Sequence, residues 1–175
     1  MAVLPIRIYP DPVLKETGEP IDRIDEGIRR LAEDMLDTMY EAPGSGLAAP
    51  QVGQSCRLIV VDGSGAGDRS KGMVLINPRI VTSEGEILYE EACLSVQDFS
   101  AKVRRSTKVL VQALDLDGNP VEIEAEGRLA VVFQHEIDHL DGVLFIDHIS
   151  RLKRDLYRRR IKKLHKQKQV QDSDA

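Results

Sequence analysis

Between positions 134 and 142 the chain reads Gln134-His135-Glu136-Ile137-Asp138-His139-Leu140-Asp141-Gly142, following the strongly apolar run Leu129-Ala130-Val131-Val132-Phe133. An α-helix has about 3.6 residues per turn, so His135 and His139 fall one above the other on a single face, close enough for both imidazoles to reach one metal ion. Glu136 flanks that position without ligating it. From there a carboxylate can take a proton from water and return it to a leaving group, the division of labour in metal-assisted amide hydrolysis. The bland alternative is two ordinary histidines on a half-buried helix, each satisfied by a carbonyl or a water. Two of the chain's four histidines at ligand spacing around a glutamate favour the metal reading.

The chain has 175 residues, enough for one domain that buries about two-thirds of the surface its unfolded form exposes. Two cysteines, Cys56 and Cys93, make no disulfide framework, and Met1 to Arg7 shows neither a basic leader nor an apolar signal run. A cytoplasmic protein is therefore expected. Charged residues, Gln or Gly interrupt every apolar stretch before the roughly 18 residues needed to span a bilayer. Neither a membrane nor DNA is an expected partner. The formal charge of −5 hides a dipole: residues 151–168 carry ten Lys or Arg against Asp155 alone, leaving −14 on the rest. A basic helix on an acidic body suits an anionic partner such as ribonucleic acid, although a solvated face is at least as common.

Patterning predicts an α+β domain over residues 1–168, with mostly antiparallel strands packed against two or three helices and the metal motif on a central helix. Residues 6–14 should be extended, since each proline biases its predecessor away from helix. Ile28, Leu31, Met35, Leu36 and Met39 recur at helical spacing from Asp25 to Glu41. Strands are expected at 56–61, 73–77, 79–83, 86–90, 108–116 and 121–125, with the glycine-rich segment 63–72 as a surface connection. The motif helix should run from Arg128 to Asp141, and a last helix over about 150–168 should pack through a stripe of Leu152, Leu156, Ile161 and Leu164. Residues 169–175 read as a disordered tail.

Two histidines leave a catalytic metal one protein ligand short. The position where one large metallopeptidase group has a third histidine is Phe145, and no glutamate follows Glu136. Asp141, Asp147 and His148 remain downstream candidates. Upstream, Glu91-Ala92-Cys93-Leu94-Ser95 offers a thiol where the chain leaves a strand, although a buried free cysteine is common. Gly44-Ser45-Gly46-Leu47-Ala48-Ala49-Pro50-Gln51 partly mimics a dinucleotide fingerprint, but it follows a helix and contains Pro50. Its small residues permit close backbone approach, and Gln51 ends it with a side-chain amide able to donate, or the run is a plain tight turn.

Taken together, Gly44-Ser45-Gly46-Leu47-Ala48-Ala49-Pro50-Gln51, Glu91-Ala92-Cys93-Leu94-Ser95 and Gln134-His135-Glu136-Ile137-Asp138-His139 resemble the three signature motifs of the peptide deformylases. Tyr9-Pro10-Asp11-Pro12-Val13-Leu14 extends the similarity, which runs in matching order to about Leu164. The resemblance implies that Cys93, His135 and His139 bind one divalent metal, usually ferrous iron (Fe2+), with zinc, nickel or cobalt compatible with the ligand set. It implies Glu136 as general acid/base, Gln51 and the Leu94 backbone amide as oxyanion donors, Arg105 beside the substrate backbone, and Gly46, Glu91, Val131 and Val132 in the methionine pocket. The implied substrate is the formyl-methionyl end of a new polypeptide. Ala92 stands where the family usually has glycine, Ser45 where it has an aliphatic residue, and Arg104 where proline is common.

Two other classes of function compete with this reading. A metallopeptidase of broader range would cleave unformylated internal bonds. A non-catalytic protein with a structural metal would use the basic helix 151–168 to dock on the ribosome or another RNA.

Overall fold

The computed structural model describes residues 2–65 and 67–173. Five strands, β1 (Gly46–Ala48), β2 (Leu58–Val61), β3 (Met73–Glu84), β6 (Lys108–Leu114) and β7 (Pro120–Glu126), form one sheet in the order β1-β2-β3-β6-β7. The remaining two, β4 (Ile87–Cys93) and β5 (Val96–Arg105), form a separate hairpin. Every strand pair is antiparallel, which makes the domain α+β as expected.

The four residues of β2 are all buried because helices cover both faces of the sheet. Successive side chains in a strand point to opposite faces. Leu58 and Val60 pack with Met35, Leu36 and Met39 of α1 (Glu26–Glu41). Ile59 and Val61 pack with Ala130, Phe133, Ile137 and Leu140 of α2 (Arg128–Leu140). Helix α1 starts where the Asp25 side chain accepts from Ile28 N at 2.9 Å, a cap that satisfies one of the orphan donors of the first turn. Helix α2 ends at Gly142, whose φ of +73° suits glycine, and whose missing Cβ leaves room for the Lys15 backbone.

A third cluster joins the β4–β5 hairpin to the C-terminal elements. Phe99, Phe145 and Tyr157 stack there, with ring centroids 4.8 Å apart for Phe99–Tyr157 and 6.1 Å for Phe99–Phe145. Phe145, in the 3-10 turn Phe145–His148, also lies 6.2 Å from the His135 ring. The residue that excludes a downstream third histidine thus serves as packing against the first one.

Several expectations are corrected. Residues 12–15 form a 3-10 turn, capped by Asp11, rather than extended chain. Segments 73–77 and 79–83 are one strand, irregular between Ile76 and Arg79 because Asn77 adopts a φ of +51° and its side chain bonds the Ile21 backbone. Strands β1 and β5 were not anticipated. Helix α3 (Arg151–Ser173) runs past 168 into the expected tail, and residues 174–175 lie outside the described residues. Of its proposed stripe only Ile161 is buried, joined by Tyr157, whereas Leu152, Leu156 and Leu164 are exposed. The large aromatic ring at 157 supplies the anchor, so the leucines are left facing outward.

Candidate metal centre

Three elements converge on one point. Helix α2 brings His135, Glu136 and His139, all buried; the end of β4 brings Cys93; and the 3-10 turn Ala49–Val52 after β1 brings Gln51. Cys93 Sγ lies 3.4 Å from His139 Nε2, which is 3.2 Å from His135 Nε2. Among the described residues the one group of three or more His, Cys, Asp or Glu suited to an ion is Cys93, His135 and His139, with ligand atoms within 4.8 Å of one another.

The second nitrogen of the first imidazole is already committed. His135 Nδ1 donates to Glu91 Oε1 at 2.8 Å, which leaves the Nε2 lone pair facing sulfur and the other imidazole. Two ring nitrogens and a sulfur pressed this close, each with a lone pair, need a cation or a proton between them. A divalent ion fits: one thiolate and two imidazoles make a soft three-donor set that keeps a coordination position open. Burial opposes protonation of His135, yet hydrogen bonds with Cys93 and Glu91 hold its pKa well above the ordinary value. Burial and the neighbouring His135 push His139 well below. Metal binding would displace the His135 proton.

Glu91 is in turn gripped by Arg105, whose Nε and Nη2 donate to its two carboxylate oxygens at 2.7 and 2.9 Å. Arg105 Nη1 reaches Asp138 Oδ2 at 2.6 Å, which also accepts from His148 Nε2 at 2.8 Å. Burial raises the pKa of Glu91, but the Arg105 and His135 hydrogen bonds outweigh it and bring it below the usual range. The resemblance implies Arg105 beside the substrate backbone; in the structure it is not among the residues that line the cavity described below. It is 7% exposed, and its guanidinium is spent on Glu91 and Asp138. Glu91 borders the cavity described below, but its carboxylate turns inward to His135 and Arg105.

Gln51 is fixed in orientation. Its Oε1 accepts from Ala48 N at 2.9 Å, so Nε2 faces Ser95 Oγ at 3.1 Å and Cys93 Sγ at 3.5 Å. Leu94 lies in the two-residue turn that joins β4 to β5, directly after Cys93. Gly46 meets Glu136 so closely that a Cβ there would stand 2.8 Å from Glu136 Cγ and 2.9 Å from Oε1. Burial pushes the Glu136 carboxyl up to about 7, and its Oε2 is buried without a hydrogen-bond partner. Such a group can hold and release a proton near neutrality.

A cavity of about 340 Å3 opens at this point, and its wall includes Gly46, Gln51, Leu94, Val131, Val132 and Glu136. The consecutive run Tyr89 to Leu94 also lines it, which is the signature of a strand edge rather than a strand face. Ala92 is exposed on that wall, while Arg104 forms a surface ion pair with Glu86 at 3.1 Å, away from the site. The downstream ligand candidates are occupied elsewhere: Asp141 with Arg57, Asp147 with Lys15, and His148 with Asp138.

Sequence reasoning gave no role to Ser95, Asp138 or Gln134. Gln134 clamps α2 to Ser106, accepting from its N–H and donating to its carbonyl, both at 2.9 Å. Polarity at positions flanking the two histidines was the available signal for Gln134 and Asp138; Ser95 carried none.

The profile of the polypeptide deformylase family matches residues 3–155. A peptide deformylase of Mesorhizobium japonicum is 50% identical over 169 residues, 96% of this chain and 96% of that protein. One of Thermodesulfovibrio yellowstonii is 53% identical over 162 residues, 93% of this chain and 98% of that protein. Among solved structures, a peptide deformylase from Legionella pneumophila superposes with a TM-score of 0.88 at 47% identity, covering 95% of this chain and 98% of that one. The peptide deformylase of Ehrlichia chaffeensis in complex with actinonin gives 0.86 at 39% identity, over 93% and 98%.

Proposed function

The chain belongs to the peptide deformylase family, and from that premise and the geometry above we propose how its residues divide the work of formyl removal. It is a metal-dependent hydrolase that removes the N-formyl group from newly made polypeptides. Cys93, His135 and His139 are the ligands, and ferrous iron is the ion we assign to them. When bound, the ion supplies Lewis-acid chemistry, lowering the pKa of water and polarising the formyl oxygen.

The chain's own residues do the rest. Gln51 Nε2 and the Leu94 N–H are the donors to the oxygen on which negative charge develops as the formyl carbon becomes tetrahedral. Glu136 accepts the proton of the attacking water and delivers it to the departing amine, a role suited to its buried, near-neutral carboxyl. The methionine side chain lies against Gly46, Val131 and Val132. The open edge of β4 along the cavity offers backbone groups for an extended peptide to pair with.

The observation that carries this reading is the convergence of Gln51 Nε2, Cys93 Sγ and both His Nε2 atoms beside Glu136. Iron-loaded protein should release formate from a formyl-methionyl peptide, and Glu136→Ala should keep its metal while losing activity. Absence of formate from fully loaded wild type refutes the assignment.

We assign ribosome docking to the face of α3 that carries its exposed cations, and a cytoplasmic location to the protein. The support is the exposure of Arg159, Lys162, Lys163 and Lys166 together with Leu152 and Leu156. Tyr157 and Ile161 belong to the core, so the test is charge reversal rather than truncation. Lys162→Glu with Lys163→Glu should weaken ribosome co-sedimentation and flatten its salt dependence; unchanged, salt-insensitive binding argues against docking through this helix. Among the described residues no helix is long and apolar enough to cross a membrane.

A further inference from the structure

Arg128 is the first residue of α2, and no acidic residue accompanies it in the first turn. A cation there opposes the helix dipole, so helix stability does not account for it. It lies seven residues before His135, two turns along the same face and about 10 Å away along the axis. Its guanidinium reaches over the cavity rim to donate to Ser45 Oγ. A methyl group on Gly65 would stand 3.2 Å from Arg128 Nη1, so the missing side chain of Gly65 leaves the guanidinium room to lie there. Ser45, where the family usually has an aliphatic residue, is the hydroxyl that holds it in place. Glu90 also borders the cavity, but its carboxylate accepts from Ser100 Oγ at 3.2 Å on β5.

We propose that Arg128 is a specificity-determining residue that draws acidic side chains at the second or third position of the formylated peptide to the cavity rim. An extended chain advances about 3.3–3.6 Å per residue. A peptide with its formyl group at His135 and its methionine against Val131 and Val132 therefore brings the next two residues under the guanidinium. The Ser45 hydroxyl orients Arg128 while leaving its remaining N–H donors for a carboxylate. This inference rests on the deformylase reading of the same site.

The test compares formyl-Met-Ala-Ser with peptides carrying Asp or Lys at positions two and three, using one preparation of iron-loaded enzyme so that metal content cancels in the ratio. At low salt the acidic peptide should exceed the basic one in kcat/KM by about three- to fivefold, the range open to a partly solvated ion pair, and the ratio should shrink at high salt. Arg128→Leu should bring the ratio to about one, and Arg128→Glu should invert it. A wild-type ratio near one at low salt, or a ratio unmoved by Arg128→Leu, overturns the proposal. If no peptide yields formate, the deformylase reading itself falls and takes the proposal with it.

Discussion

Glu91 Oε1 stands 2.8 Å from His135 Nδ1, so a carboxylate on the β4–β5 hairpin sets the ring orientation of a proposed metal ligand on α2. Outer partners of this kind commonly govern metal affinity by about 10- to 100-fold. Glu91→Ala should weaken metal binding by that factor, read by competition with a chelator of known affinity. Wild-type affinity in the variant would show that packing alone orients the ring.

Arg105 holds two carboxylates, the buried one of Glu91 and the half-buried one of Asp138. Removing one partner of a buried charge network leaves the others uncompensated, at a cost of about 3–5 kcal/mol. Arg105→Ala should therefore destabilise the fold by that order in urea unfolding. Were Arg105 instead a substrate contact, KM would rise with little change in stability.

Gly46→Ala should abolish most activity without removing the metal. The added methyl would stand 2.8 Å from Glu136 Cγ and must displace the carboxyl proposed to move the proton. Loss of a general acid/base commonly costs about 10²- to 10⁴-fold. The check is kcat beside metal content in the same sample, and a variant within threefold of wild type would mean that Glu136 tolerates the shift.

Gln51→Glu separates the donor from the acceptor role of one side chain. The new carboxylate can still accept from Ala48 N, but it presents oxygen where Gln51 Nε2 now faces the sulfur. A fall of about 10²- to 10³-fold in kcat follows if that amide stabilises the oxyanion. Steady-state kinetics with retained metal tests it, and a change confined to KM would reassign Gln51 to ground-state binding.

Asp147 links the stability of the C-terminal part to pH. Burial pushes its pKa up, but hydrogen bonds from Lys15 Nζ at 2.6 Å and Leu144 N at 2.9 Å outweigh that and hold it below the usual value. Its contribution, about 1 kcal/mol for this partly exposed pair, is complete above about pH 4 and disappears as pH falls through the lowered folded-state value. Asp147→Asn should lower the Tm at pH 7, with a gap to wild type that narrows as pH falls below about 4. A gap independent of pH would remove the ion pair from the account.

Much of this was readable because period-2 and helical spacing are local signals. The β2 run Leu58–Val61 and the α1 and α2 stripes declare themselves without knowledge of their partners. Strand β5 does not, because its inward positions are Ala101, Val103 and Arg105. Arg105 reads as a surface residue until Glu91 and Asp138 are brought beside it from other elements. The packing face of α3 escaped for a related reason: Tyr157 wins the core position by meeting Phe99 and Tyr9, contacts that no spacing rule contains.

Among the described residues the β4–β5 hairpin forms no strand pairing with the five-stranded sheet, and the three proposed ligands come from the hairpin and from α2. An ion shared between Cys93 and the two histidines is therefore a crosslink, fastening across a 42-residue loop two parts of the molecule otherwise joined by packing, the Glu91–Arg105–Asp138 network and the Gln134–Ser106 hydrogen bonds. Closing a loop of that size restricts the unfolded chain much as a disulfide does. Chelated enzyme should accordingly be cut by proteases first within residues 86–106, which would tie the lifetime of the protein in the cell to its supply of metal.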